Sequence, residues 1–136
     1  SFIIISNQAG LNRNMIKKNK FNELNNKLKL FFTKKNINIL SSYYCPHHWI
    51  ENCECRKPKN GLFIKASKEY LFRLDKVLFI GDQFSDYQAA LNSNCYSIII
   101  NKKNDFTKKY YKKLLLRTNS TKKVISMINM FYCKNA

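Results

Sequence analysis

Both histidines and three of the five cysteines of this 136-residue chain lie between Tyr44 and Pro58. Cys45, His47, Cys53 and Cys55 form a C-x-H-x5-C-x-C set. Thiolate and imidazole are the donors zinc prefers, and four of them close a tetrahedral structural site with bonds of ~2.0–2.3 Å. His48 is an alternative imidazole for the same position. Scattered thiols in a polar loop are the bland reading, and the donor density speaks against it. A Cys53–Cys55 disulfide is disfavoured, because residues so close in sequence rarely meet the required geometry. The ligands do not come as two spaced pairs, as in nucleic-acid zinc fingers. A metal here would pin one loop. That loop ends in Arg56-Lys57-Pro58, two cations and a stiff residue, which suits an anionic ligand.

A second set is Gly81-Asp82-Gln83-Phe84-Ser85-Asp86, between an apolar run and a helical pattern. Asp82 and Asp86 are spaced one helical turn apart, on one face. Two carboxylates at a strand end make a hard oxygen site suited to Mg²⁺, which binds through one or two carboxylates plus phosphate and water. The alternative is one metal ligand and one helix cap or brace. A third set, Ser6-Asn7-Gln8-Ala9-Gly10, follows the apolar run Phe2–Ile5. In open α/β sheets ligands bind beyond the carboxyl ends of strands, where a hydroxyl and an amide can reach a phosphate. An ordinary turn uses the same residue types.

These sets need elements to hold them. Phe2–Ser6 reads as a buried parallel strand. Phe21, Leu24, Leu28 and Phe31 or Phe32 have helical spacing, which predicts an amphipathic helix over Lys17–Lys35. Ile37–Tyr44 is the next strand. Gly61–Phe72 reads as a helix with Leu62, Ala66, Tyr70 and Phe63 as inward candidates. Lys76–Ile80 is a strand, Phe84–Asn94 a helix with Ala89, Ala90 and Leu91 suited to close packing, and Tyr96–Ile100 a strand. This alternation predicts a doubly wound α/β fold with a parallel sheet, in a single domain. Phe106–Arg117 is basic and aromatic and receives no assignment. Thr121–Tyr132 is a final helix with Val124, Ile128 and Phe131 inward and Ser120 as N-cap.

Composition sets the bounds. Hydrophobic content of 45% fits a globular protein, and 3 Gly and 2 Pro leave no room for a long flexible linker. No apolar run approaches the ~20 residues that cross a bilayer, and Phe2–Ile5 is too short for a signal core. Thiols beside imidazoles point to a reducing cytoplasm. The net charge of +17 fits a polyanionic partner, or a general drift towards Lys, Asn and Ile. Lysines 17, 18, 20, 27, 29, 34 and 35 read as a solvated helix face. Buried thiols are the default for Cys95 and Cys133.

Ser-Asn-Gln-Ala-Gly, Cys-Pro-His-His, Cys-Glu-Cys-Arg-Lys-Pro and Gly-Asp-Gln-Phe-Ser-Asp, in this order, resemble the haloacid dehalogenase superfamily of phosphatases. Within it they resemble the zinc-loop branch of heptose bisphosphate phosphatases and histidinol phosphatase domains. The resemblance covers about residues 1–100, leaving 101–136 as a divergent basic part. It implies a Rossmann-like parallel sheet and roles for single residues. Ser6 would hold the transferring phosphoryl group, with Asn7 and Gln8 as neighbouring substrate contacts. Lys57 would neutralise charge on phosphate and nucleophile, and Arg56 would recognise substrate. Asp82 would bind Mg²⁺ with Asp86 in support, and Cys45, His47, Cys53 and Cys55 would bind zinc. Gln83 stands where this branch often carries Lys or Arg beside the metal aspartate.

The family also uses an aspartate nucleophile and a second aspartate two residues later, on a strand upstream of the serine-asparagine strand. No aspartate precedes Asp75 here, so an N-terminally incomplete domain is expected, with a gap or open edge in its sheet. The aspartyl-phosphate intermediate would need a nucleophile from outside these residues. The implied function is Mg²⁺-dependent hydrolysis of a small phosphorylated metabolite, a heptose bisphosphate first and histidinol phosphate as the alternative. A monomer is expected, without membrane or nucleic-acid partners. The rival readings are a basic zinc protein binding nucleic acid, with Tyr110 and Tyr111 as stacking candidates, and a non-catalytic relative that binds phosphate esters.

Overall fold

The computed structural model describes residues 1–13, 15–101 and 112–135. The chain divides into two compact units, Ser1–Arg56 and Lys57–Ala136. Phe106, Tyr110 and Tyr111 lie outside the described residues.

In the first unit, β1 (Phe2–Asn7) leads through α1 (Lys18–Thr33) to β2 (Ile39–Cys45). The strands pair in parallel, with Ser6 opposite Tyr44 and Asn7 opposite Cys45. A helix between them is the connection a parallel pair requires. Both carboxyl ends therefore finish side by side. Phe21 of α1 is buried and meets Tyr44 edge-on, with ring centroids 4.7 Å apart.

Two expectations change here. β1 is half-buried, not buried, because among the described residues it pairs with β2 alone. On α1 the core face is turned from the predicted one. Phe21 and Phe32 face inward, while Leu24 is 64% exposed and Phe31 56%. At 100° per residue Leu24 and Phe31 lie well round the helix from the Phe21–Phe32 line, beside Lys20 and Lys27.

In the second unit, α2 (Gly61–Tyr70) precedes β3 (Leu78–Gly81), α3 (Phe84–Asn92) and β4 (Tyr96–Ile100). β5 (Leu114–Thr118) and α4 (Thr121–Asn135) follow. The sheet is parallel in the order β3-β4-β5. β5 falls in the stretch left without assignment, where Leu114-Leu115-Leu116 is hidden by the lysines around it. The strand expected from Lys76 starts at Leu78, since Leu74–Lys76 forms a 3-10 turn. The strands make two parallel sheets, β1-β2 and β3-β4-β5.

The second unit's core forms where α3 lies on the sheet. Tyr87, Ala89 and Ala90 are buried, and Tyr87 and Ile99 pack with Leu91 and Leu114. Leu62, Phe63 and Ala66 bury the inner face of α2, and Phe63 meets Phe79 at 4.9 Å. Tyr70 and Ile128 are only partly covered. Val124 and Phe131 are buried on α4, and Ser120 Oγ accepts from Lys123 N at 3.4 Å as its N-cap. Cys95 is buried, and its thiol is pushed up to about 12 by desolvation. Cys133 is exposed, contrary to expectation, because it lies about 200° round α4 from Phe131.

Ile99 is fully buried, so Ile99→Ala should cost about 2–5 kcal/mol. Leu24→Ser should stay within about 0.5 kcal/mol. Thermal melts of both variants check the core assignment and the turned face of α1.

Candidate functional site

The loop leaving β2 folds back on itself. The donor atoms of Cys45, His47, Cys53 and Cys55 all lie within 4.8 Å of one another. Cys55 Sγ is 3.1 Å from Cys45 Sγ, 3.4 Å from Cys53 Sγ and 3.1 Å from His47 Nδ1. Cys45 Sγ is 3.5 Å from Cys53 Sγ and 3.6 Å from His47 Nδ1. These spacings approach the roughly 3.7 Å edge of a tetrahedron built on Zn–S bonds. All the thiols are free. The donor set is the one zinc takes, four protein ligands with no further position for water.

The electrostatics agree with that fit. Burial pushes the Cys45 thiol up, and burial with its two thiol neighbours pushes Cys55 up to about 12. Cys53 goes the other way. Desolvation opposes its ionisation, but hydrogen bonds from Cys55 and Cys45 bring it down to about 7. Three thiolates this close repel one another, so ionising all of them calls for a cation at the centre.

His48 takes another role. Its Nδ1 accepts from Ile50 N at 3.4 Å, and its own N–H donates to Glu51 Oε1 at 2.5 Å. This reciprocal cap holds the 3-10 turn Trp49–Glu51. His47 is therefore the imidazole of the cluster. Arg56 Nη1 donates to the His47 carbonyl at 3.1 Å, which ties the cation to the same loop. At the end of β1, Gln8 N donates to the Cys45 carbonyl at 2.7 Å and Gln8 Nε2 to Ser6 Oγ at 2.9 Å. Ser6 and Gln8 also line a groove of about 250 Å³ against Phe21, Leu24 and Leu28 of α1.

The second unit holds the carboxylates. Asp86 is buried at the start of α3, and its Oδ2 accepts from Asp82 N and Gln83 N, each at 3.0 Å. Its Oδ1 takes the Lys57 ammonium at 2.6 Å. Burial opposes ionisation, but Lys57 and these N–H groups hold the carboxyl below its usual range. With both oxygens engaged, Asp86 is a brace, the alternative the spacing left open. Asp82 keeps an exposed carboxylate at the strand end, with Gln83 Nε2 donating to its Oδ2 at 3.2 Å. Its carbonyl accepts from Asn101 Nδ2 at 3.0 Å, a support that no motif marks.

Gly81 is needed here for space. A Cβ on it would lie 2.4 Å from Asp86 Cβ and 2.6 Å from Asp86 Oδ2. Lys57 also sits 5.5 Å from the Phe79 ring centroid. Asn92 Nδ2 donates to the Pro58 carbonyl at 3.0 Å, and Asn60 Nδ2 to the Asn92 carbonyl at 2.8 Å. These bonds anchor the segment after Lys57 to the end of α3.

A family model described as polynucleotide kinase 3 phosphatase matches residues 1–112. The chain belongs to this family, in the haloacid dehalogenase superfamily. Its parallel α/β architecture is that of the superfamily. The chain is 38% identical over 111 residues to a Campylobacter jejuni D-glycero-alpha-D-manno-heptose-1,7-bisphosphate 7-phosphatase, covering 79% of this chain and 63% of that protein. It is 38% identical over 92 residues to a Helicobacter pylori D-glycero-beta-D-manno-heptose-1,7-bisphosphate 7-phosphatase, covering 67% and 53%. The crystal structure of D,D-heptose 1.7-bisphosphate phosphatase from B. bronchiseptica, complexed with magnesium and phosphate, superposes with a TM-score of 0.68. That match has 27% identity over 71% of this chain and 54% of that one. The chain thus spans little more than half the length of most of these relatives. No described helix is long and apolar enough to cross a membrane.

Asp86→Ala should cost about 3–5 kcal/mol, because it removes the carboxylate that pairs with the largely covered Lys57 ammonium. Gly81→Ala should be strongly destabilising, and Asp86→Ala should relieve little of it, because the nearest clash, at 2.4 Å, is with the Asp86 Cβ that alanine keeps; a double-mutant cycle reads this coupling. Chelation of zinc, or Cys53→Ser, should abolish stoichiometric zinc binding and speed proteolysis within 46–54. Unchanged cleavage rates would show that the metal does not hold the loop.

Proposed function

We propose that the chain is the greater part of a Mg²⁺-dependent phosphatase acting on a phosphate monoester of a small sugar, a heptose bisphosphate first. The observation that carries the reading is the end of β3, where Asp86 holds the Lys57 ammonium and leaves the Asp82 carboxylate to solvent. A cation and a hard oxygen ligand at one strand end suit a phosphoryl group with its divalent metal. The relatives' names supply the substrate class.

The roles follow from the chemistry of each residue. Asp82 would hold Mg²⁺ through its exposed oxygens, and the metal would supply charge neutralisation on the phosphoryl oxygens. Lys57 offsets negative charge as it builds on the phosphate. Ser6 Oγ, Asn7 and Gln8 offer donors to phosphoryl and substrate oxygens, and Arg56 offers a fork matched to a second phosphate. Gln83 contributes a neutral amide beside Asp82. Positioning and electrostatics carry most of phosphoryl-transfer catalysis, and these residues supply both. The Cys/His cluster would hold a structural zinc that stiffens the Arg56 loop. None of these residues is a nucleophile. The aspartate that forms the phosphoenzyme would come from outside residues 1–136.

The reading extends to one phosphatase domain across residues 1–136, supported by a family match that runs through both units. It also extends to a reducing cytoplasm, which suits a donor set of free thiols, and to a monomer. The test is phosphate release with Mg²⁺, from the chain and from the chain joined to an upstream Asp-x-Asp segment of the Campylobacter jejuni relative. Heptose 1,7-bisphosphate, histidinol phosphate and a 3′-phosphorylated oligonucleotide are compared. Turnover of heptose bisphosphate in the joined form alone is expected, with Lys57→Ala lowering kcat at least a hundredfold. Preference for histidinol phosphate or the oligonucleotide would overturn the substrate, and silence in both forms the enzyme reading.

A further inference from the structure

The turn between His47 and Cys53 exposes the two residues least suited to water. Trp49 is 70% exposed and Ile50 69%. A turn in this place calls for polar or small residues, and the Trp49 ring lies beside the His48 ring, with centroids 5.3 Å apart. Apolar residues are exposed elsewhere too, among them the adjacent pairs Met15–Ile16 and Leu30–Phe31, as is normal for a surface. The Trp49–Ile50 pair lies on a capped turn between two members of the Cys/His cluster. The turn is closed by the reciprocal His48–Glu51 cap, and Asn52 leaves it in the left-handed region at φ 45°. The residue before it and the residue after it lead directly into cluster members His47 and Cys53.

The placement gives the exposed pair a neighbourhood, all of it within the first unit. The loop springs from Cys45, whose carbonyl takes the Gln8 N–H at the end of β1. The same loop carries Arg56, bonded to the His47 carbonyl. One loop therefore carries a guanidinium and an indole, and its root is bonded to a strand end bearing Ser6, Asn7 and Gln8. A phosphorylated sugar has matching parts, an anionic end and a ring with an apolar C–H face. Indole offers a large flat contact at low entropic cost, with only two side-chain torsions to fix.

We propose that Trp49, with Ile50 beside it, is a recognition platform for the sugar ring of the substrate and determines specificity for a sugar over a simpler phosphate ester. This rests on the phosphatase reading above. It assigns Trp49 to binding and leaves the chemistry of phosphoryl transfer to other residues.

Trp49 is the only tryptophan in the chain, so its fluorescence reports on this site alone. The zinc-loaded chain with Mg²⁺ is titrated with heptose 1,7-bisphosphate, glycerol 3-phosphate and inorganic phosphate, with calorimetry in parallel. Heptose bisphosphate should shift the emission to the blue and protect it from acrylamide, whereas the other two should bind without either change. Trp49→Ala should weaken heptose bisphosphate binding about tenfold and leave glycerol 3-phosphate affinity unchanged, and Trp49→Phe should restore most of the loss. Zinc content and the circular dichroism spectrum confirm folding of each variant. Calorimetric binding of heptose bisphosphate with unchanged emission, and equal affinity in Trp49→Ala, would overturn the platform and leave the phosphatase reading standing. No calorimetric binding of any of the three compounds would overturn both.

Discussion

The carboxylate of Asp86 is the group on which the second unit's chemistry turns. Its two oxygens accept two backbone N–H groups and an ammonium, so a negative charge sits buried without an unmet partner. That one set of contacts sets the β3–α3 turn, positions Lys57 and leaves Asp82 facing solvent. It also explains Gly81, since the carboxylate comes too close to the backbone for any Cβ. A buried ion pair is a costly way to stabilise a fold. Here its yield is placement, with a cation brought in from a distant stretch of chain and fixed beside a strand end.

The first unit solves a different problem with softer atoms. Three thiols and an imidazole crowd together, and the thiols cannot all ionise without a cation. A metal held by these donors would pin the loop, which carries Arg56 at one end and Trp49 in the middle. Hard oxygen and soft sulfur donors are thus kept in separate units, which lets two metals of different character be chosen by ligand type.

Much of this was legible from residue order. The runs Phe2–Ile5 and Tyr96–Ile100 are apolar and β-branched, and both are strands. The four-donor set is dense enough to mark its own site, and the structure brings the same four atoms together. Other features were hidden for physical reasons. β5 is a short apolar run among lysines, and its pairing with β4 comes from tertiary contacts. Leu24 and Leu28 share helical spacing with Phe21, but spacing alone does not say which part of a broad apolar stripe meets the sheet. His47 and His48 are chemically the same, and only the turn around Trp49 separates ligand from cap. Asn101 has no motif, because its hydrogen bond to the Asp82 carbonyl joins residues from two strand ends.

The sequence by itself determined the alternation of strands and helices, the zinc-type donor set, and the carboxylates and cations that suit a phosphate ester. These follow from local spacing and from donor chemistry, which are properties of the chain read in order. Only the tertiary structure decided that Asp86 is a brace while the Asp82 carboxylate faces solvent, and that Gly81 is there for space. It also decided that Trp49 stands in solvent on a capped turn. Each of these depends on atoms far apart in sequence, or on which side of a backbone faces water, and no residue order records that.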